Sequence, residues 1–207
     1  MFKLIFGTGS TPIQQNKKVD SPKETKLNDD KEEDRKLSEI FRATVNDTAV
    51  TINLIHAVDR GDVKKVREFV GNPEVDVNPR LTGVEFLLHR AARLKTTEIL
   101  KILLGAKANT ECRDNSGRTP LLVAVREGSL ENVRALITAG ANVNAFDING
   151  NTSLHSAGLT VSKAQELIAA GAKVNLLNRT ENTPLMIARE EEREEIISAL
   201  IDAGATE

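Results

Sequence analysis

A 33-residue period constrains this chain more than any other feature, because a self-similar sequence buries its apolar residues by stacking one unit on the next. "RTPLLVAVREGSLENVRALITAGANVNAFD" (118–147) is echoed by "NTSLHSAGLTVSKAQELIAAGAKVNLLN" (151–178) and again by "NTPLMIAREEEREEIISALIDAGA" (182–205). Thr119, Thr152 and Thr183 mark the common register, 33 and 31 residues apart. Going backwards, "LLHRAARLKTTEILKILLGAKANTECRD" (87–114) fits the period, with Leu103-Leu104 matching Leu136-Ile137. One unit earlier, "AVDRGDVKKVREFV" (57–70) aligns with "AVREGSLENVRALI" (124–137). Five units result, approximately 47–80, 81–113, 114–146, 147–177 and 178–207.

Recurrence also decides what the segment "DNSGRTPLL" is for. A glycine loop opening a helix can bind phosphate through unpaired N–H groups. The segment returns as "DINGNTSLH" and, degraded, as "NRTENTPLM", and the Lys that a phosphate loop needs after its last Gly is missing. It is punctuation: Thr119 caps a helix, and Pro120 sits in the first turn, where its missing N–H costs nothing.

The period, Thr-Pro-Leu, Gly-Ala and Asn ahead of Asp together resemble the ankyrin repeat family, whose units open on Thr-Pro-Leu-His-x-Ala. The resemblance covers 47–207 and implies an all-α solenoid of about five helix-turn-helix units joined by hairpin-like loops. Small Ala91, Ala124, Ala157 and Ala188 then let neighbouring first helices approach, while Leu136-Ile137 and Leu167-Ile168 fill the layer between second helices.

Composition agrees with many small helices. Aromatic residues make up 3% with no Trp or Tyr, yet apolar content is 40%. The net charge of -2 offers no basic patch for nucleic acid or an anionic membrane. A single cysteine, Cys112, excludes an internal disulfide, and "FKLIF" is too short for a signal-peptide core, so a cytoplasmic protein is expected. Residues 1–46 form a charged arm expected to be flexible, since Gln14 to Lys36 cannot bury enough apolar surface to offset ordering. Leu37, Ile40, Phe41, Thr44 and Val45 fall at helical spacing and predict a short helix at 37–45.

Departures from the period mark expected weak points. Lys107 and Lys95 stand where other units have Gly, so each is expected to cost about 1 kcal/mol if held left-handed, leaving the second unit less regular. The fourth unit lacks two residues around Gly158 to Ser162, which shortens its first helix or the turn after it. In the last unit Arg189 and Glu192 replace Val125 and Gly128, and "REEEREE" follows as a polar end cap. The same glutamates resemble the acidic export signals of certain bacterial effectors.

Catalytic, metal and cofactor chemistry find no foothold. His89 and His155 lie two units apart on separate layers and cannot converge on one ion, so inter-repeat hydrogen bonding is their expected role; His56 is one residue out of register. Cys112 has no His or acidic partner placed by the repeat, which leaves a free loop thiol. "FGTGST" lacks the third glycine of a dinucleotide fingerprint. Sequons begin at Asn46, Asn151 and Asn178 and mean nothing without secretion.

The family resemblance therefore implies a monomeric, non-catalytic module that binds a protein partner through turn tips and first helices. Carried over by register, its contact positions are Arg113, Asn115, Ser116 and Arg118, with Arg126 and Glu127, in unit three. Unit four offers Phe146, Ile148, Asn149 and Asn151; unit five offers Leu177, Arg179, Thr180 and Asn182; unit two offers Arg90 and Arg93. Two other readings fit the same scaffold: a host-directed bacterial or viral effector or adaptor, and an inhibitor subunit occluding an enzyme.

Overall fold

A computed structural model describes residues 49–206 except 74, 82–84 and 157. The arm and the helix expected at 37–45 lie outside these residues, as does Ala157. The described chain is helical, with helices in pairs. Helix α1 (49–59) pairs with α2 (Val63–Val70), α3 (Leu87–Arg93) with α4 (Glu98–Gly105) and α5 (Pro120–Glu127) with α6 (Leu130–Thr138). A single 3-10 turn, Ser153–His155, pairs with α7 (Val161–Ala169), and α8 (Pro184–Glu190) pairs with α9 (Glu194–Asp202). Two-residue strands β1 (Arg80–Leu81) and β2 (Glu85–Phe86) close a hairpin before α3. The fourth unit's missing residues thus come out of its first helix, which is cut to one turn.

Local chemistry sets the helix starts. The Thr119 hydroxyl accepts from the Leu122 N–H at 3.5 Å and that of Thr183 from Met186 at 3.2 Å, each followed by a proline in the first turn. Ser129 and Thr160 cap α6 and α7 in the same way. Helices of seven to nine residues are too short to hold alone in water. Their stability comes from two packed rows: α3, α5, the 3-10 turn and α8 along one side, and α2, α4, α6, α7 and α9 along the other. Ala91, Ala124 and Ala188 lie buried in the first row, and Leu103, Leu136, Leu167 and Leu200 in the second.

Left-handed backbone separates the two lysines. Lys107 has φ 61°, in register with Gly140, Gly171 and Gly204 at φ 86°, 90° and 85°, where an added Cβ meets nothing within 4 Å. Lys95 is not left-handed, contrary to expectation. Its glycine counterpart Gly128 has φ -90°, and a Cβ there would stand 2.2 Å from the Ala92 carbonyl oxygen. Gly128 answers a close backbone approach, not a left-handed turn, so Lys95 carries no such strain. Two further residues do: Glu181 at φ 62°, where earlier turns have Gly117 and Gly150, and Glu192 at φ 53°. Thr97 precedes α4 without a side-chain capping bond, but so does Arg193 before α9, so the second unit is not singled out by its helix starts.

The histidines are inter-repeat hydrogen-bonding groups. His89 Nδ1 accepts from the Phe86 N–H at 3.2 Å, so the proton sits on Nε2, which donates to the Arg118 carbonyl in the next unit at 2.8 Å. His155 repeats this with the Thr152 N–H at 3.1 Å and the Asn182 carbonyl at 3.1 Å. Burial pulls both imidazoles below their ordinary 6.5 and outweighs those carbonyls, which pull the other way.

Two outcomes are expected. Lys107→Gly stabilises the fold by up to about 1 kcal/mol in urea unfolding, since glycine takes this φ freely and nothing else changes. Below 6.5 the unfolded chain binds protons that the folded chain refuses. The histidine contribution to stability is therefore flat above that pH and falls as pH drops through it toward the folded-state values. The urea midpoint is lower at about pH 5.5 than at about pH 7.5, and His89→Gln shrinks the difference.

Candidate functional site

The turns that carry the candidate residues are closed by one repeated device. The Asp114 carboxylate accepts from the N–H groups of Ser116 and Arg118, each at 2.9 Å. Asp147 does the same for Asn149 and Asn151, and the Asn178 side-chain oxygen for Thr180 and Asn182. Successive turns are then stitched together by backbone: the Ile148 N–H donates to the Ser116 carbonyl at 3.0 Å, and that of Arg179 to the Asn149 carbonyl at 2.9 Å. The tips of units three, four and five form one continuous ladder.

Large apolar side chains stand on this ladder. Phe146, Ile148 and Leu177 are 55%, 52% and 59% exposed. The Arg113 guanidinium lies 5.6 Å from the centre of the Phe146 ring and donates to the carbonyls of Gly117 and Phe146. Asn115 accepts from the Arg80 guanidinium at 3.1 Å, and Asn151 accepts from the Asn178 amide. Arg80 is a tip residue that register would have found, 33 positions before Arg113.

The remaining candidates divide differently. Arg90 and Arg93 both pair with Glu85, at 3.0 Å and 2.6 Å; Arg90 also reaches Asp59 at 2.5 Å, and Arg93 reaches Glu127 at 2.9 Å. Arg118 pairs with Asp114 at 2.8 Å and approaches Glu127 at 3.5 Å. Burial alone would raise the Asp114 carboxyl, yet the Arg118 amide and guanidinium and the Ser116 amide together hold it below the usual range. Four predicted contact residues are therefore tied into an ion-pair chain running across units one to three. Asp59 and Glu85 were invisible beforehand, since no motif flags an acid whose partner lies on another element. Arg126 is exposed and meets the end of this ion-pair chain only at Glu127, 4.0 Å away.

Between α5 and α8, where unit four contributes only its 3-10 turn, a groove of about 380 Å³ opens. Leu122 and Arg126 form one side, Glu190 and Glu191 the other, and Thr152 and His155 line the space between. On the other row, a shallow apolar hollow of about 470 Å³ runs between α4 and α6 past Leu104 and Ala135.

The environment of Cys112 corrects one expectation. Its buried sulfur lies 3.8 Å from His89 Nδ1, so the fold does bring a histidine to it. The contact does not activate the thiol, because Nδ1 already accepts from Phe86 and burial pushes the thiol up to about 12. No group of three or more His, Cys, Asp or Glu suits a metal among the described residues, and no helix there is long and apolar enough to cross a membrane.

Sequence register also missed a set of buried and half-buried donors. The Asn132 amide donates to the Ala92 and Leu94 carbonyls at 3.0 Å and 2.7 Å, and Lys163 Nζ to the Val125 carbonyl at 2.6 Å. Arg193 donates to the carbonyls of Ser156 and Leu159. Each closes the carbonyl end of the preceding unit's first helix or turn. Burial, and after it the charge of Lys95, lowers the Lys163 ammonium.

Short paired helices stacked in two rows and joined by side-chain-closed turns define a helical-repeat scaffold with an exposed ladder of tips. Residues 54–147 and 88–178 match the family model described as ankyrin repeats (3 copies), and the chain belongs to the ankyrin repeat family. These repeats make it a protein-interaction module. It is 39% identical over 106 residues to the B-cell lymphoma 3 protein homolog of Mus musculus, covering 49% of this chain and 23% of that protein. An intracellular phospholipase A2 of Caenorhabditis elegans is 28% identical over 179 residues, covering 82% and 16%. Neurogenic locus notch homolog protein 1 of Homo sapiens is 36% identical over 107 residues, covering 49% and 4%. The chain spans less than a quarter of the length of each of these relatives.

The buried thiol yields a direct expectation. A rise from 9.0 to about 12 lowers the thiolate fraction at about pH 8 by roughly a thousandfold. Native protein should therefore label with a thiol reagent at least ~100-fold more slowly than urea-unfolded protein, by absorbance of the released chromophore.

Proposed function

We propose that this chain is a non-catalytic cytoplasmic module that binds a protein partner through the tips of units three to five and the adjoining first-helix face. The observation that carries the proposal is the row of Phe146, Ile148 and Leu177, each more than half exposed on a turn whose geometry is already satisfied by backbone bonds. Apolar groups of this size contribute nothing to the core from there. Rimmed by Arg113, Asn149 and Arg179, they have the make-up of an interface anchor. Stacked repeats let such positions vary while the layer beneath stays constant. The groove between α5 and α8 lies beside this ladder and extends the surface to Arg126.

Absence of catalysis is supported by the inert thiol at Cys112 and by imidazoles whose two nitrogens are both engaged in structural bonds. Nothing in the phospholipase relative carries over, since the match covers 16% of that protein.

Phe146→Ala and Leu177→Ala are each expected to weaken a partner recovered by pull-down about thirty-fold, corresponding to about 2 kcal/mol. Melting temperature should stay at the parent value for both. Affinity by titration calorimetry and melting by circular dichroism decide it, and unchanged affinity for both variants would remove the tips from the interface.

A further inference from the structure

We infer that the ladder of turn tips takes an extended partner segment in which apolar side chains are flanked on both sides by carboxylates; this rests on the tip reading above. The argument begins with which arginines are already neutralised. Arg90, Arg93 and Arg118 face Asp59, Glu85, Asp114 and Glu127 within the first-helix chain. The tip arginines do not. Arg113 donates only to two backbone carbonyls and lies over the Phe146 ring, and Arg80 donates to the neutral Asn115 amide and lies 5.8 Å from the centre of the Phe86 ring. Arg179 is exposed and, like these two, forms no ion pair among the described residues. Neutral acceptors orient a guanidinium without cancelling its charge.

The acids of the tips offset these cations only in part, three unpaired arginines standing against Asp147 and Glu181. Asp114 is held by Arg118, and the Asp147 carboxylate points back into its own turn to accept two N–H groups. The third turn replaces that aspartate with the neutral Asn178. Glu181 is the one carboxylate exposed on the tips of units three to five among the described residues. What faces solvent is therefore Arg80 and Arg113 at one end, Phe146, Ile148 and Leu177 in the middle, and Arg179 with Glu181 at the other.

Spacing turns this order into a pattern. Stacked helices lie about 8–10 Å apart and an extended chain advances about 3.3 Å per residue, so one unit corresponds to about three partner residues. Arg113 and Arg179 are two units apart, which places a partner's two carboxylates about six residues apart with an apolar anchor midway. A planar guanidinium takes a carboxylate through two parallel hydrogen bonds, which suits backbone-tethered arginines such as Arg113.

The test uses the full chain and labelled synthetic peptides of about 12 residues, read by fluorescence anisotropy. One has a Leu-Phe-Ile centre flanked by Asp and Glu, a second the same centre flanked by Lys, a third a serine centre flanked by Asp and Glu; a single-stranded RNA of similar length is the fourth probe. The first is expected to bind at least ~10-fold more tightly than the others and to weaken at least ~5-fold between about 50 and about 300 mM salt. Arg179→Gln, whose side chain holds no part of the fold, and Arg113→Gln, which keeps a donor for the carbonyls, should each weaken it ~5-fold without moving the melting temperature. Equal or tighter binding of the lysine-flanked peptide or the RNA overturns the carboxylate class, as does failure of the first peptide to bind at about 1 mM. If the lysine-flanked peptide binds and loses affinity in Phe146→Ala, the tip reading survives while the carboxylate class falls. If the acid-flanked peptide binds and neither Phe146→Ala nor Leu177→Ala weakens it, the tips themselves are wrong.

Discussion

Everything in this molecule depends on the inability of a helix of two turns to stand alone. Helices α2 to α9 run seven to nine residues, below the length at which an isolated helix holds in water. Each must therefore borrow stability from its neighbours, and the interfaces between units become the structure. Side-chain oxygens on the far loops show how literal this is: those of Asn78, Glu111, Asn144 and Asn175 accept from backbone N–H groups of the following unit, at 2.7, 2.9, 2.8 and 3.0 Å. The histidines and the turn-to-turn backbone bonds do the same along the other edge.

What was legible in the sequence follows from this. The period, caps and Leu-His pattern are local signals repeated in register, so the helix pairs, the role of His89 and His155 and the shortening of unit four could be read off directly. Lys107 was legible as a left-handed site because three units place Gly there. Lys95 misled, since a glycine in a repeat answers either φ or a close approach and the letter alone does not distinguish them; only the 2.2 Å approach of the Ala92 oxygen to a Cβ on Gly128 does. The ion pairs of Asp59 and Glu85, the carbonyl plugs and the Cys112–His89 contact join positions that share no register, and so left no trace in the pattern.

At the tips, the exposed positions of Phe146, Ile148 and Leu177 were legible from register, because core packing has no use for large apolar side chains there. The division of the arginines was not. Arg90, Arg93 and Arg118 looked as available as Arg113 and Arg179 until acids from their own and neighbouring units were placed beside them. Charge on this repeat surface is set by pairs both within a unit and about one period apart, and composition averages these away.

The carbonyl plugs run one way. Asn132, Lys163 and Arg193 each reach back to the unit before their own, so units two, three and four are each finished by residues of the next. On a ribosome this sets a delay: Ala92 and Leu94 wait for Asn132, Val125 for Lys163, Ser156 and Leu159 for Arg193. Folding of the nascent chain would then trail synthesis by about one unit across units two to four, each pair of helices there provisional until the next has emerged.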